Sequence, residues 1–332
     1  MAELQPKSRR FREEREADWR RLEVLLGRIE KGSAARLSTE ELLEIPVLYR
    51  ATLSSLSVAR SISLDQSLTD YLESLSTRAY FVVYGARTTL WERAGRFFAQ
   101  DWPDAVKGLW RETLVAGAIM VLGAIVAAVL VSQDPDWFYA FVPREMTAGR
   151  DPTATTAFLR STLYDGGSMR DGLSALAVFL FTHNAQIAIL AFALGFALCL
   201  PTAGLMAYNG ATLGAFIVLF ASRGLGTEAV GWLMIHGVTE LFAVTLAGAA
   251  GLCIGWSTAF PGRLSRVDAL AAAGKRAATV MAGVVVMLFV AGLLEGFARQ
   301  LIRLDAVRYA VALTSAMVWG GYFYLPRRRA AP

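Results

Sequence analysis

Apolar and polar positions follow different rhythms along the chain. Between residues 9 and 31, Phe11, Trp19, Leu22, Leu25, Leu26 and Ile29 recur at helical spacing among charges. This predicts an amphipathic helix, ended by Lys31-Gly32-Ser33. Ser38-Thr39-Glu40-Glu41 has the S-x-x-E form of a capping box and opens a second helix running to about Ser61. A third helix is expected from about Leu64 to Tyr84, stopping at Gly85. Three amphipathic helices with short links bury a small core as an antiparallel bundle. Residues 1–87 are therefore read as a cytosolic helical domain.

Residues 88–100, TTLWERAGRFFAQ, change character. Leu90, Trp91, Ala94, Phe97 and Phe98 make an aromatic face, while Arg87, Arg93 and Arg96 stay polar. With Trp102-Pro103 following directly, 88–107 reads as an interfacial amphipathic helix and linker, an elbow at the headgroup boundary. The other reading is one more core helix of the bundle.

Beyond about residue 112 the alternation gives way to apolar runs at about 113–132, 173–200, 203–222, 229–257, 277–298 and 307–325. About twenty residues cross a hydrocarbon core of about 30 Å. The expectation is an all-α, polytopic helical membrane protein with about six transmembrane helices in 108–332. Five or seven spans stay open, because 173–222 is broken by Thr182-His183-Asn184 and by Pro201-Thr202. A separate surface helix at 173–183 would account for the first break.

Charge sets the orientation. Arg20, Arg21, Arg87, Arg93, Arg96 and Lys107 precede the first span; Arg263, Arg266, Lys275 and Arg276 sit between the fourth and fifth; Arg327, Arg328 and Arg329 follow the last. An N-in, C-in arrangement puts them all on the cytoplasmic side of a cell membrane. The outer side receives segment 133–172, in which acids outnumber bases and Trp137, Phe138, Tyr139 and Phe141 suit a membrane surface. Composition agrees: 55% of the 332 residues are hydrophobic, and mean hydropathy is +0.43. The net charge of +5 follows from this topology, and no nucleic-acid-binding module is recognisable. Cys199 and Cys253 both lie in apolar runs, as packing residues do. The N-terminus lacks the apolar stretch of a cleavable signal.

Polar residues inside the runs carry what chemistry there is. His236 and Glu240 are four apart, on one helical face. An ionised carboxylate near mid-membrane costs on the order of 2.5–3.5 kcal/mol on insertion scales, so Glu240 should face protein or water. By depth, His183, Asn184, His236, Thr239 and Glu240 are expected to meet in the outer half. Three readings stay open: hydrogen-bonding glue between helices, a proton or ion-coupling site, and a metal site. The first is preferred, and no metal or cofactor is expected. Glu295 and Arg299 read as an ordinary interfacial pair. Small residues at Ala243, Ala247, Gly251 and Gly255, and at Gly195, Gly204, Gly210 and Gly214, predict close helix seams and a homodimer through one of them. There is no G-x-S-x-G, Walker A loop or H-E-x-x-H. The chain is thus expected not to be an enzyme and not to hydrolyse ATP itself.

Several segments in order resemble the stage II sporulation protein M family. They are Phe11…Arg15…Trp19…Leu22…Leu25, Leu48-Tyr49-Arg50, Tyr71-Leu72 and Tyr84-Gly85, then His183-Asn184, Asn209-Gly210 with Gly214, and His236-Gly237-Val238-Thr239-Glu240 with Gly251 and Gly255. The resemblance covers most of 9–257; Ile235 stands where the family pattern places Pro. It implies a multi-pass membrane protein that organises other membrane or envelope proteins in the bilayer. The alternative, from a different class, is a transporter or channel subunit with a polar site around His236 and Glu240, served by a separate cytosolic ATPase.

Overall fold

The computed structural model describes residues 7–30, 37–61, 66–84, 90–164, 184–298 and 301–325. It is helical, with no strand among the described residues. The chain forms two compact units that divide between Arg93 and Ala94.

The first unit holds α1 (Lys7–Glu30), α2 (Thr39–Ser61) and α3 (Gln66–Val83). The capping box forms as the sequence predicts. Glu41 N donates to Ser38 Oγ at 3.2 Å and Ser38 N to Glu41 Oε2 at 3.1 Å. Trp19, Leu22, Leu25 and Leu26 of α1 meet Leu48, Tyr49 and Leu56 of α2 and Leu68, Leu72 and Leu75 of α3 in one core. Ion pairs fix the order of the helices. Arg21 and Arg28 reach Glu44 and Glu41 across α1/α2, and Arg78 of α3 grips Glu30 through two hydrogen bonds of 2.9 Å. Accordingly α2 runs antiparallel to both neighbours.

The division falls within α4 (Leu90–Arg96), and the second unit continues with a π-helical turn (Phe97–Asp101), α5 (Trp102–Gly108) and α6 (Trp110–Gln133). Short helices α7 (Phe138–Phe141), α8 (Arg144–Thr147) and α9 (Thr156–Tyr164) follow. Next come α10 (Asn184–Phe196), α11 (Leu200–Ala221), α12 (Gly226–Ala259) and α13 (Arg266–Leu293, running on through a π turn). The last helix is α14 (Asp305–Tyr324). Among the described residues, four helices are long and apolar enough to cross a membrane: α6, α11, α12 and α13. The doubtful stretch 173–222 breaks near Pro201, where the sequence places a break. α10 is short, and Leu198 and Cys199 adopt left-handed backbone (φ 58° and 72°) before Pro201 opens α11. Residues 165–183, including the expected surface helix at 173–183, lie outside the described residues.

α12 is the central helix, with every residue from Ala243 to Gly255 buried. α6 and α11 lie side by side and run parallel, since the backbones of Met120 and Ala124 sit against Gly210 and Gly214 in turn. A Cβ at either glycine would collide with the facing carbonyl, so only glycine allows this approach. On α12, Gly251 receives the Ala191 carbonyl, and Gly255 meets the Gly195 carbonyl and the Cys199 backbone. These small-residue stripes form close seams between the chain's own helices. Gly204 differs, with nothing near its Cβ position.

The elbow has an exposed part and a part packed on protein. Leu90 and Trp91 are exposed, but Trp102 is buried (2% exposed) against α13 and α14. Its indole fills the slot left by the missing side chain of Gly283 and packs on Phe97, Tyr322 and Phe323 at ring distances of 5.1–5.8 Å. The aromatic face from Phe97 onward therefore docks on protein, because Gly283 makes room for a ring there. Phe98 keeps partial exposure, and Arg96 pairs with Asp101 at the surface.

Residues 134–164 fold over one end of the bundle. Phe138, Leu159 and Leu163 bury against Ala215, Leu219 and Phe220 of α11. Arg308 at the start of α14 fastens this cap. Fully buried, it donates to the carbonyls of Leu163 (2.7 Å) and Ile302 (3.0 Å) and to Asp305 Oδ1 (2.9 Å). Tyr164 completes the clasp by donating its hydroxyl to Asp305 Oδ2 at 2.8 Å.

Candidate functional site

Polar side chains converge where α12 faces the end of α13. His236 and Glu240, one turn apart on α12, point the same way, with His236 Nε2 3.8 Å from Glu240 Oε2. Glu295 enters from the π turn that closes α13, its Oε1 3.5 Å from His236 Nε2. One donor atom from each of the three lies within 4.8 Å of the other two. The site is enclosed: His236 and Glu295 are 3% and 4% exposed, and the Glu240 side chain 18%.

The third member could not be read from spacing along α12. Glu295 stands far along the chain beside Arg299, a four-residue interval that reads as an interfacial pair. In the structure it is buried beside His236, because the π turn at Leu294–Ala298 carries an extra residue and re-aims the side chains at the helix end. Arg299 lies outside the described residues. A carboxylate at the end of an apolar run, facing a His-x-x-x-Glu pair in the neighbouring run, was the available signal.

Other expected members of the site fall elsewhere. Thr239, buried, accepts a hydrogen bond from Trp319 Nε1 of α14 at 2.9 Å. Asn209 reaches Met120 Sδ at 3.8 Å in the α6/α11 seam, beside Gly210. Asn184 opens α10, and Ala188 one turn later packs with Ala243 and Ala247 of α12. His183 lies outside the described residues. Gly237 is buried but faces no foreign backbone, so its role is not that of the seam glycines.

Two carboxylates and an imidazole within 4.8 Å among apolar helices form a strongly coupled set. Both acids cannot stay ionised there without a compensating positive charge, from a shared proton, an imidazolium or a bound cation.

The fold and this site define an all-helical protein built around helices able to cross a bilayer. The model of the family described as Stage II sporulation protein M matches residues 114–298, more than half of the 332-residue chain. The chain belongs to that family. A second model, a domain of unknown function (DUF8413), matches residues 9–85, the three-helix unit. No curated protein and no solved structure matches the chain.

Proposed function

We propose that this protein is a non-catalytic membrane scaffold that organises other proteins of the cell envelope. Its membrane unit crosses the inner or plasma membrane six times with both termini in the cytoplasm. The parallel course of α6 and α11 supports this count: the chain between them has to return to its starting side, and α10 lies on that return path. α14, twenty residues long, supplies the last crossing.

The observation that carries the scaffold reading is the exposed apolar surface of the three-helix unit. Leu43 and Val47 project from one face of α2, and Tyr80, Phe81 and Tyr84 from the end of α3, all between 50% and 69% exposed. The ring contact of Tyr49 with Tyr84 sets these stretches at the same end of the unit. Such a patch on a small domain that already has a complete core suits a protein partner.

The second reading is a transporter or channel subunit served by a separate cytosolic ATPase, and the buried His236–Glu240–Glu295 cluster is what favours it. Glu240→Gln and His236→Ala separate the two. A scaffold loses folding yield and nothing else. If the variants keep their yield but abolish an ion or solute flux that the wild-type protein supports in proteoliposomes, the scaffold reading fails.

A further inference from the structure

We propose that His236, Glu240 and Glu295 form a binding site for a divalent transition cation of the zinc type. The proposal stands apart from the scaffold reading, since a cation can hold a scaffold together or be handled by a transporter.

The spacing of the three donor atoms suits a cation. The His236 Nε2 distances to the two carboxylates, 3.5 and 3.8 Å, exceed the usual hydrogen bond of about 2.7–3.2 Å. Donor atoms bound at about 2.0–2.1 Å around a tetrahedral ion stand about 3.3–3.4 Å apart. The two separations from His236 are thus close to the edges of a coordination tetrahedron, with the two carboxylates within 4.8 Å of each other.

Charge points the same way. A divalent ion held by two carboxylates and a neutral imidazole is neutralised by its own ligands, which suits an enclosed position. The ligand types narrow the choice. Imidazole suits zinc and its transition-metal neighbours, whereas magnesium and calcium sites are built from oxygen donors. His and Glu four apart on one helix present both donors to the same side, and the π turn delivers Glu295 from a second helix. Three protein donors leave a fourth position on a tetrahedral ion for a water molecule. Cys199 and Cys253 take no part: the Cys199 thiol donates to the Leu252 carbonyl at 3.4 Å, and Cys253 is buried in the main apolar core.

The test uses the full-length protein in nanodiscs, freed of any histidine tag and stripped with chelator. Zinc is titrated against a chromophoric competitor, and the loaded protein is examined by X-ray absorption. The expected result is about one equivalent of zinc, with nitrogen and oxygen ligands at about 2.0–2.1 Å and no sulfur. His236→Ala and Glu295→Gln should each weaken binding beyond the roughly 10–100-fold that loss of an outer-shell partner costs. Glu228→Gln, in the first turn of α12 and outside the cluster, should leave it unchanged. Should the site variants fail to fold, the wild-type spectrum decides alone. Binding well below one equivalent, sulfur ligation, or unchanged affinity in folded His236→Ala and Glu295→Gln would each overturn the proposal.

Discussion

The Trp102 indole occupies the space where Gly283 has no side chain, so that an added Cβ would coincide with the ring. A residue just ahead of the first long apolar helix is thereby locked onto α13, the fourth. Trp102 is surrounded by Phe97, Tyr322 and Phe323, and Trp319 completes the aromatic wall at 6.1 Å. Gly283→Ala should force the ring out and lower the thermal midpoint of the detergent-solubilised protein. Trp102→Ala should cost about 3–5 kcal/mol by emptying the slot. In the double variant the two losses should fall well short of additive, because alanine then enters space already vacated.

Glycine positions on α11 should respond in opposite ways to one substitution. Gly210→Ala and Gly214→Ala push α11 away from the carbonyls of Met120 and Ala124 and should reduce the yield of folded protein. Gly204→Ala has open space before it and should leave stability unchanged or raise it by about 0.5–1 kcal/mol through backbone entropy. Thermal unfolding of the three variants side by side checks the contrast.

Arg308 should behave as the clasp of the 134–164 cap. Lysine in its place has a single ammonium and cannot serve the Leu163 and Ile302 carbonyls and Asp305 together. Arg308→Lys should destabilise by about 1–3 kcal/mol, the cost of leaving a buried acceptor unserved. Limited proteolysis should show it as faster cleavage between residues 134 and 164, with the three-helix unit no more sensitive than before.

The three-helix unit should lose stability at both ends of the pH scale, for separate reasons. Hydrogen bonds from Arg78 hold the Glu30 carboxyl below its ordinary value. That contribution is present above the unfolded value of 4.5 and is lost as pH falls through the lower folded one. Burial, with the hydrogen bond to Glu23, pushes the Tyr71 hydroxyl up to about 12. Its contribution is complete below pH 10 and is lost as pH rises toward 12. Circular dichroism should show the alkaline loss in the wild-type protein and a smaller one in Tyr71→Phe.

Much of this architecture was legible in residue order. The Ser38–Glu41 capping box, the α1 core stripe of Trp19, Leu22, Leu25 and Leu26, and the chain break at Pro201 are local features, and local patterns report them directly. The His236/Glu240 half of the site was legible for the same reason, since four residues on a helix define one face. Glu295 was not, because its direction depends on a π turn that hydrophobic periodicity does not encode. Trp102 was read as part of the elbow because an aromatic residue beside a membrane span suits headgroups, and its packing against protein was not legible. Only the slot at Gly283, far along the chain, decides for protein. The seam glycines were recognisable as contact positions, but their partners turned out to be α6 and α10 of the same chain.

The scaffold reading is tested most directly by photo-crosslinking in intact cells, with the reactive side chain placed at Leu43 and, separately, at Phe81 of the full-length protein. Both sites should capture the same envelope or cytosolic protein, and Val47→Glu should abolish both crosslinks while the unit keeps its helical content and melting temperature. Crosslinks to lipid alone, or different proteins at the two sites that persist in Val47→Glu, would contradict it.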